Sequence, residues 1–180
     1  MKLKKYIYLD KSINKLIVTV INFFFKYKKN KIRNSKKIEN IFIIKFLGIG
    51  SISRSLGMIY HLQNLYPESK ISFVTFKENE SFMNIIKPIN KYYLIDKSNL
   101  FSLAKDFVKT LFLIKKKNCI VIDLEVHSYF AKLFCFFIKS ELKLGFYLKE
   151  KIFFYNNSFY FDNKVFIEDN YYKILYYLID

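Results

Sequence analysis

IFIIKFLGIGSISRSLGMIYHLQNLYPESKISFVTF, residues 41–76, opens on a β-branched and aromatic run and turns sharply at Gly48-Ile49-Gly50-Ser51. Ile52, Leu56, Ile59, Leu62 and Leu65 then recur at helical spacing on one face, and the pattern stops before Pro67. Residues 71–76 (ISFVTF) form a second apolar run of strand length. Strand, helix, strand in one short stretch is the unit from which parallel sheets are built.

Working outward, the alternation continues. Residues 80–86 read as a short helix ending near Pro88, and residues 92–95 as a third strand. Residues 100–117 read as a long helix whose Lys-rich end suits the helix dipole. Residues 119–124 (CIVIDL) are the most apolar strand, as a strand buried on both faces must be. A helix over 128–139 and a fifth strand over 143–147 follow. The pattern predicts an α/β fold, a Rossmann-like doubly wound parallel sheet with five strands between residues 41 and 147. Beyond residue 150, the segments 152–155 and 159–161 flank Asn156-Asn157 and read as a hairpin, and 167–179 as a last helix.

A domain over residues 41–180 is thus preceded by a leader, residues 1–40, of different character. The leader holds 12 Lys and Arg against 2 Asp and Glu, while the following 140 residues hold 19 against 13. The net charge of +16 therefore belongs mostly to the leader. Arginine, the favoured reader of base edges and phosphates, occurs only as Arg33 and Arg54, which argues against a nucleic-acid partner. The apolar run 16–25 is too short to span a bilayer, and Lys26 to Lys29 stand where a signal peptide would be cleaved. Helical spacing accounts for it better. Lys11, Lys15, Thr19, Asn22 and Lys26 form one narrow polar stripe, and Ile13, Leu16, Ile17, Val20, Phe23, Phe24 and Tyr27 occupy the remaining circumference. With the basic run 26–37, this reads as a helix lying on an anionic membrane surface. Packing of the same helix on its own domain or on a second subunit is the competing reading. Cys119 and Cys135 show neither CxxC nor zinc spacing, which fits core residues in a reducing cytoplasmic compartment.

In open α/β sheets, ligands sit beyond the C-terminal ends of the strands. That rule selects three places, after Phe46, Phe76 and Leu124. Gly48 and Gly50, between a strand and a helix, bring backbone N–H groups close to an anionic ligand. A dinucleotide-binding reading asks for a third small residue, which Ser53 only approximates, and for an acid closing the second strand, where Glu78 is displaced. Lys45, Ser53, Arg54 and His127 are candidate contacts to substrate or phosphate. Ser51 and Ser53 also suit helix capping, and Arg54 a surface ion pair. Glu125 and Asp123 close the fourth strand, and Glu125 is the candidate acceptor contact or base. The competing reading has Asp123 capping the next helix and Glu125 in solvent.

The stretch 41–76, followed in order by KYYLIDKS, CIVIDLEVHSYFAKLFCFF and LKLGFY, resembles glycosyltransferase family 9, whose best-known members are the ADP-heptose:lipopolysaccharide heptosyltransferases. The resemblance implies the N-terminal, acceptor-side domain of a two-domain GT-B enzyme, with a lipid-linked saccharide as acceptor. A nucleotide-sugar donor would bind only with a second, C-terminal domain, which nothing in these 180 residues matches, so the resemblance implies half of an enzyme, either truncated or split with the other half separately encoded. It implies neither cofactor nor metal, and work at the inner face of the bacterial inner membrane. In well-studied members an Asp, the proposed general base, stands where this chain has Ser51. A serine hydroxyl cannot take a proton near neutral pH unaided. Ser51, Glu125 and Asp123 are accordingly the candidate catalytic residues. A saccharide-binding domain that has lost catalysis is the alternative.

Overall fold

The structure, a computed structural model, describes residues 7–8, 10–25, 38–114 and 118–180. The helix α1 (Lys15–Phe25) follows a π-helical turn at Asp10–Asn14. The body then runs β1 (Asn40–Ile44), α2 (Ile49–Arg54), α3 (Leu56–Leu65), β2 (Lys70–Phe76), α4 (Glu80–Met83) and β3 (Lys91–Ile95). It continues with α5 (Leu100–Leu113), β4 (Cys119–Asp123), α6 (Tyr129–Phe137), β5 (Leu142–Tyr147), β6 (Asn157–Tyr160) and α7 (Ile167–Ile179). The six strands form one sheet in the order β3-β2-β1-β4-β5-β6, every neighbouring pair parallel. Reversal of strand order between β1 and β4 makes their C-terminal ends the topological switch point.

Alternation of side chains along each strand divides the core in two. Phe42, Ile44 and Phe46 join Val74, Val121, Phe130 and Phe134 on one face. Ile41 and Ile43 join Ile59, Phe73, Ile122 and Ile174 on the other. The sheet is therefore doubly wound, as the sequence pattern predicts.

Three local expectations need correction. The helix after the glycine turn is two helices, because Ser55 breaks the run and its Oγ donates to the Ile52 carbonyl at 2.6 Å. Neither Ser51 nor Ser53 caps: Gly48 occupies the N-cap, and both serines lie within α2. The predicted hairpin is instead a crossover. Asn157–Tyr160 pairs parallel with β5, adding a sixth strand, while the preceding loop returns along the sheet face and buries Ile152, Phe154 and Tyr155. Asn156 fixes the return by bonding its N–H to the Lys143 carbonyl at 2.9 Å and accepting the Lys143 N–H on Oδ1 at 2.8 Å.

The leader helix lies on its own domain and turns Val18, Asn22 and the half-buried Ile21 and Phe25 inward, while Lys11, Lys15 and Thr19 stay exposed. Asp10 accepts N–H bonds from Phe130 at 2.5 Å and Tyr129 at 3.1 Å, so it caps α6 from the far end of the sequence. Asn22 donates to the Lys151 carbonyl at 2.8 Å and accepts from the Phe153 N–H at 2.5 Å. Val18 is buried between these ties, whereas Leu16, Val20, Phe23 and Phe24 are exposed. Lys26 and the basic run 26–37 lie outside the described residues. Among the described residues, no helix is long and apolar enough to cross a membrane.

Candidate functional site

The chain leaves β1 through Lys45 and Phe46 into the glycine turn. Gly48 has φ of +82°, a conformation that side-chain-bearing residues rarely adopt, and its carbonyl accepts the first helical bond, from Ile52 N–H at 3.0 Å. Gly48, Ile49 and Gly50 are exposed at the rim, and Ser51 is half-buried behind them.

Across the switch point, β4 ends at Asp123 and the chain reaches Glu125, only 2% exposed. Glu125 Oε1 accepts the N–H groups of Phe46 and Leu47, each at 2.7 Å, and pairs with Lys45 Nζ at 3.1 Å. This carboxylate fastens the strand end that carries the glycine turn. Glu125 and Gly48–Ser51 therefore share one rim, and Glu125 is neither in solvent nor free for proton transfer on Oε1. Lys45 is equally committed: it meets Glu125 rather than open solvent. Burying such a pair is tolerable because the geometry is close and further donors complete the shell.

Asp123 lies beneath the rim with no exposed surface. Oδ1 accepts the Glu125 N–H at 2.8 Å and Oδ2 accepts the Tyr155 hydroxyl at 2.5 Å. Burial pushes its carboxyl up to about 6, against the opposing pull of Lys132 and these hydrogen bonds. Asp123 does not cap α6; Ser128 does, its Oγ accepting Ala131 N–H at 3.3 Å, together with Asp10. Tyr155 reaches Asp123 because residue 145 is glycine, where a Cβ would sit 2.5 Å from the Tyr155 ring.

The other candidates divide. Arg54 and Ser53 are exposed on α2, and Arg54 pairs with Glu168 of α7 at 3.6 Å, a surface contact worth little. Glu78, the displaced acid of the dinucleotide reading, pairs with Lys97 at 3.2 Å. His127 is exposed on the loop after β4. Partial desolvation and the nearby Lys132 hold its imidazole below the usual range, so it is neutral near pH 7 and chemically able to accept a proton. Among the described residues, no group of His, Cys, Asp or Glu is placed to hold a metal ion.

Sequence reasoning missed Asp10, Asn79, Lys132 and Tyr155. Asn79 donates to the Phe46 carbonyl at 3.1 Å and to Thr75 Oγ1 at 2.7 Å, tying the end of β2 to the end of β1. Lys132 donates to the carbonyls of Glu125 and Val126, each at 3.3 Å, from within α6. A polar residue at a core position of the α6 helical pattern is the one signal that points to it in advance.

Set against solved structures, this fold finds counterparts. A family 9 glycosyl transferase from Veillonella parvula superposes with a TM-score of 0.68 at 19% identity, over 81% of this chain and 43% of that one. The fold is a glycosyl transferase fold. E. coli heptosyltransferase WaaC, in a structure with ADP-2-deoxy-2-fluoro heptose, superposes with a TM-score of 0.60 at 15% identity, over 75% of this chain and 46% of that one. The chain thus spans less than half the length of either transferase. No family model and no curated protein matches the sequence itself.

Proposed function

We propose that this chain supplies the acceptor side of a glycosyl transferase that moves a heptose or related sugar from a nucleotide-sugar to a lipid-linked saccharide, such as a lipopolysaccharide core. The observation that carries the reading is the likeness of its fold, over 81% and 75% of the chain, to a family 9 glycosyl transferase and a heptosyltransferase, at less than half their length. The donor would be held by a second domain, from a separate polypeptide or from further sequence, and the reaction would run in the cleft between them. Holding both substrates in register lowers such barriers by about 7–11 kcal/mol in favourable cases, so the acceptor side alone is inactive.

Within this reading, Glu125 and Lys45 position the glycine turn, whose exposed backbone faces the acceptor. His127, exposed and neutral, takes the proton from the acceptor hydroxyl. The exposed apolar face of α1, with Leu16, Val20, Phe23 and Phe24, enters the interfacial layer of an anionic membrane, drawn there by the basic leader. Binding to anionic vesicles that weakens with salt is the expected behaviour; equal binding to neutral vesicles would assign it to apolar insertion alone.

The test incubates the purified chain with nucleotide-heptose donors and lipid-linked core acceptors, with and without a separately expressed donor-side domain. Turnover only on adding that domain is expected. Turnover by the chain alone would refute the half-site reading. Saccharide binding without turnover in either mixture would favour a second reading, a binding domain without catalysis, which Ser51 in place of the proposed Asp base supports.

A further inference from the structure

The polar stripe of the leader, exposed at Lys11, Lys15 and Thr19 and buried at Asn22, borders a cavity. Lys11, Lys15, Thr19 and Asn22 line one wall of a 420 Å3 cavity whose other wall is the loop after β4, α6 and the loop after β5. Four lysines surround it, Lys11 and Lys15 from the leader, Lys132 from α6 and Lys149 from the loop after β5, with His127 between them. A single carboxylate, Glu150, stands among them.

This arrangement gathers positive charge around one cavity. Lys11 and Lys15 are four apart on one helix face, a repulsive spacing for like charges, and they are turned toward two further lysines rather than away from them. Lys132 is 4% exposed, and among the described residues it forms no salt bridge: its Nζ meets two carbonyls at 3.3 Å and the Tyr129 ring at 5.9 Å, and its charge acts at longer range on Asp123. A buried ammonium with no carboxylate in direct contact is favoured further by an anion brought beside it. The depressed imidazole of His127 reports the same positive field, with Lys132, Lys45 and Lys11 among its causes after desolvation. Asn22 and Thr19 are spent on Lys151, Phe153 and Lys15, so they shape the wall and leave the lysines to meet a ligand.

We propose that this cavity is a phosphate-binding site, one wall of which is the leader helix. Its size admits a diphosphate or one phosphorylated sugar, and lysines are suited to phosphate as mobile point charges. The leader is then part of the binding surface, whatever else its apolar face contacts. The proposal holds independently of sugar transfer, and the two sources of such a phosphate, a soluble ester and a lipid headgroup, are separated by the test.

The probe is inorganic pyrophosphate, and the readout is the NMR titration of His127, separated from His61, the other histidine, with a His61→Gln variant. Pyrophosphate should raise the His127 midpoint by neutralising the surrounding field. Lys11→Gln with Lys15→Gln, both exposed, should weaken that response by about tenfold or more. Lys105→Gln with Lys109→Gln, an equal charge change on exposed positions of α5, should leave it intact. Vesicles of phosphatidylcholine with phosphatidate form the second arm: a matching His127 shift there assigns the phosphate to a lipid headgroup, and a shift with pyrophosphate alone assigns it to a soluble ester. No shift with either probe overturns the proposal. So does a response that the Lys11 and Lys15 changes leave unaltered, or that both double variants weaken equally. Phosphate binding in a chain that fails every transfer assay would leave this site standing and remove only the transferase reading.

Discussion

The glycine-turn rim and the leader wall of the cavity are held by different means. The glycine-turn wall grows out of the sheet: β1 is fixed by β2 and β4 on either side, and Glu125, Asn79 and Asp123 then lock the strand ends with buried polar bonds. The leader wall is laid on afterwards. Asp10 and Asn22 tie it to α6 and to the crossover loop, Val18 packs beneath it, and most of its apolar side chains remain exposed. A site with one wall integral to the core and one wall merely docked can keep its geometry while opening on one side. Damage to the first wall should unfold the domain; damage to the second should only release the helix.

Glu125→Ala should separate them most clearly. It strands the Lys45 charge and two N–H groups in the interior, and should cost about 3–5 kcal/mol of global stability in denaturant titration. A loss under about 1 kcal/mol would mean that the sheet wall is not locked in this way.

Asp123 gives the next effect, and its sign is fixed. Its folded value of about 6 lies above the unfolded one, so folding takes up a proton. The stability it contributes is complete below about pH 4 and is lost as pH rises through 6, on the order of 3 kcal/mol across that window. Asp123→Asn should remove most of this slope, with a residue of the same sign from Asp10, whose carboxyl burial also pushes up. An unchanged slope would place the proton elsewhere.

Gly145→Ala puts a methyl group 2.5 Å from the Tyr155 ring and 3.1 Å from the Asp123 Cβ. It should cost about 1–3 kcal/mol and break the Tyr155–Asp123 bond. The smallest global effect belongs to the leader. Asp10→Ala with Asn22→Ala should each cost about 1 kcal/mol, felt as faster hydrogen exchange in Lys15–Phe25 while β1 stays protected. Equal deprotection of β1 would show that the leader is integral after all.

The same contrast explains what was legible beforehand. Strands β1, β2 and β4 declare themselves through runs such as FII and IVI, and the glycine turn through its spacing, because these are local signals. β6 does so only in part: residues 159–161 read as a strand, but the paired asparagines before them read as a hairpin turn, and the parallel pairing with β5 is no local signal. The polar stripe of the leader was visible as a stripe, but its direction was not. That depends on Asp10 finding α6 about 120 residues away, a choice that no local period encodes. For Glu125, the sequence placed the residue at the rim and left its task open; burial beside Lys45 makes it a fastener.

The central proposal is that the glycine-turn rim and the leader cavity beyond the loop after β4 together take one phosphorylated saccharide acceptor. The most direct measurement is backbone amide shift mapping of the intact chain, titrated with a soluble, phosphorylated core saccharide. The account predicts shifts that converge on Gly48, Gly50, Val126 and His127, joined by Lys11 and Lys15 across the cavity. Shifts confined to the β3 edge or to the opposite end of the strands, or none at saturating saccharide, would contradict it.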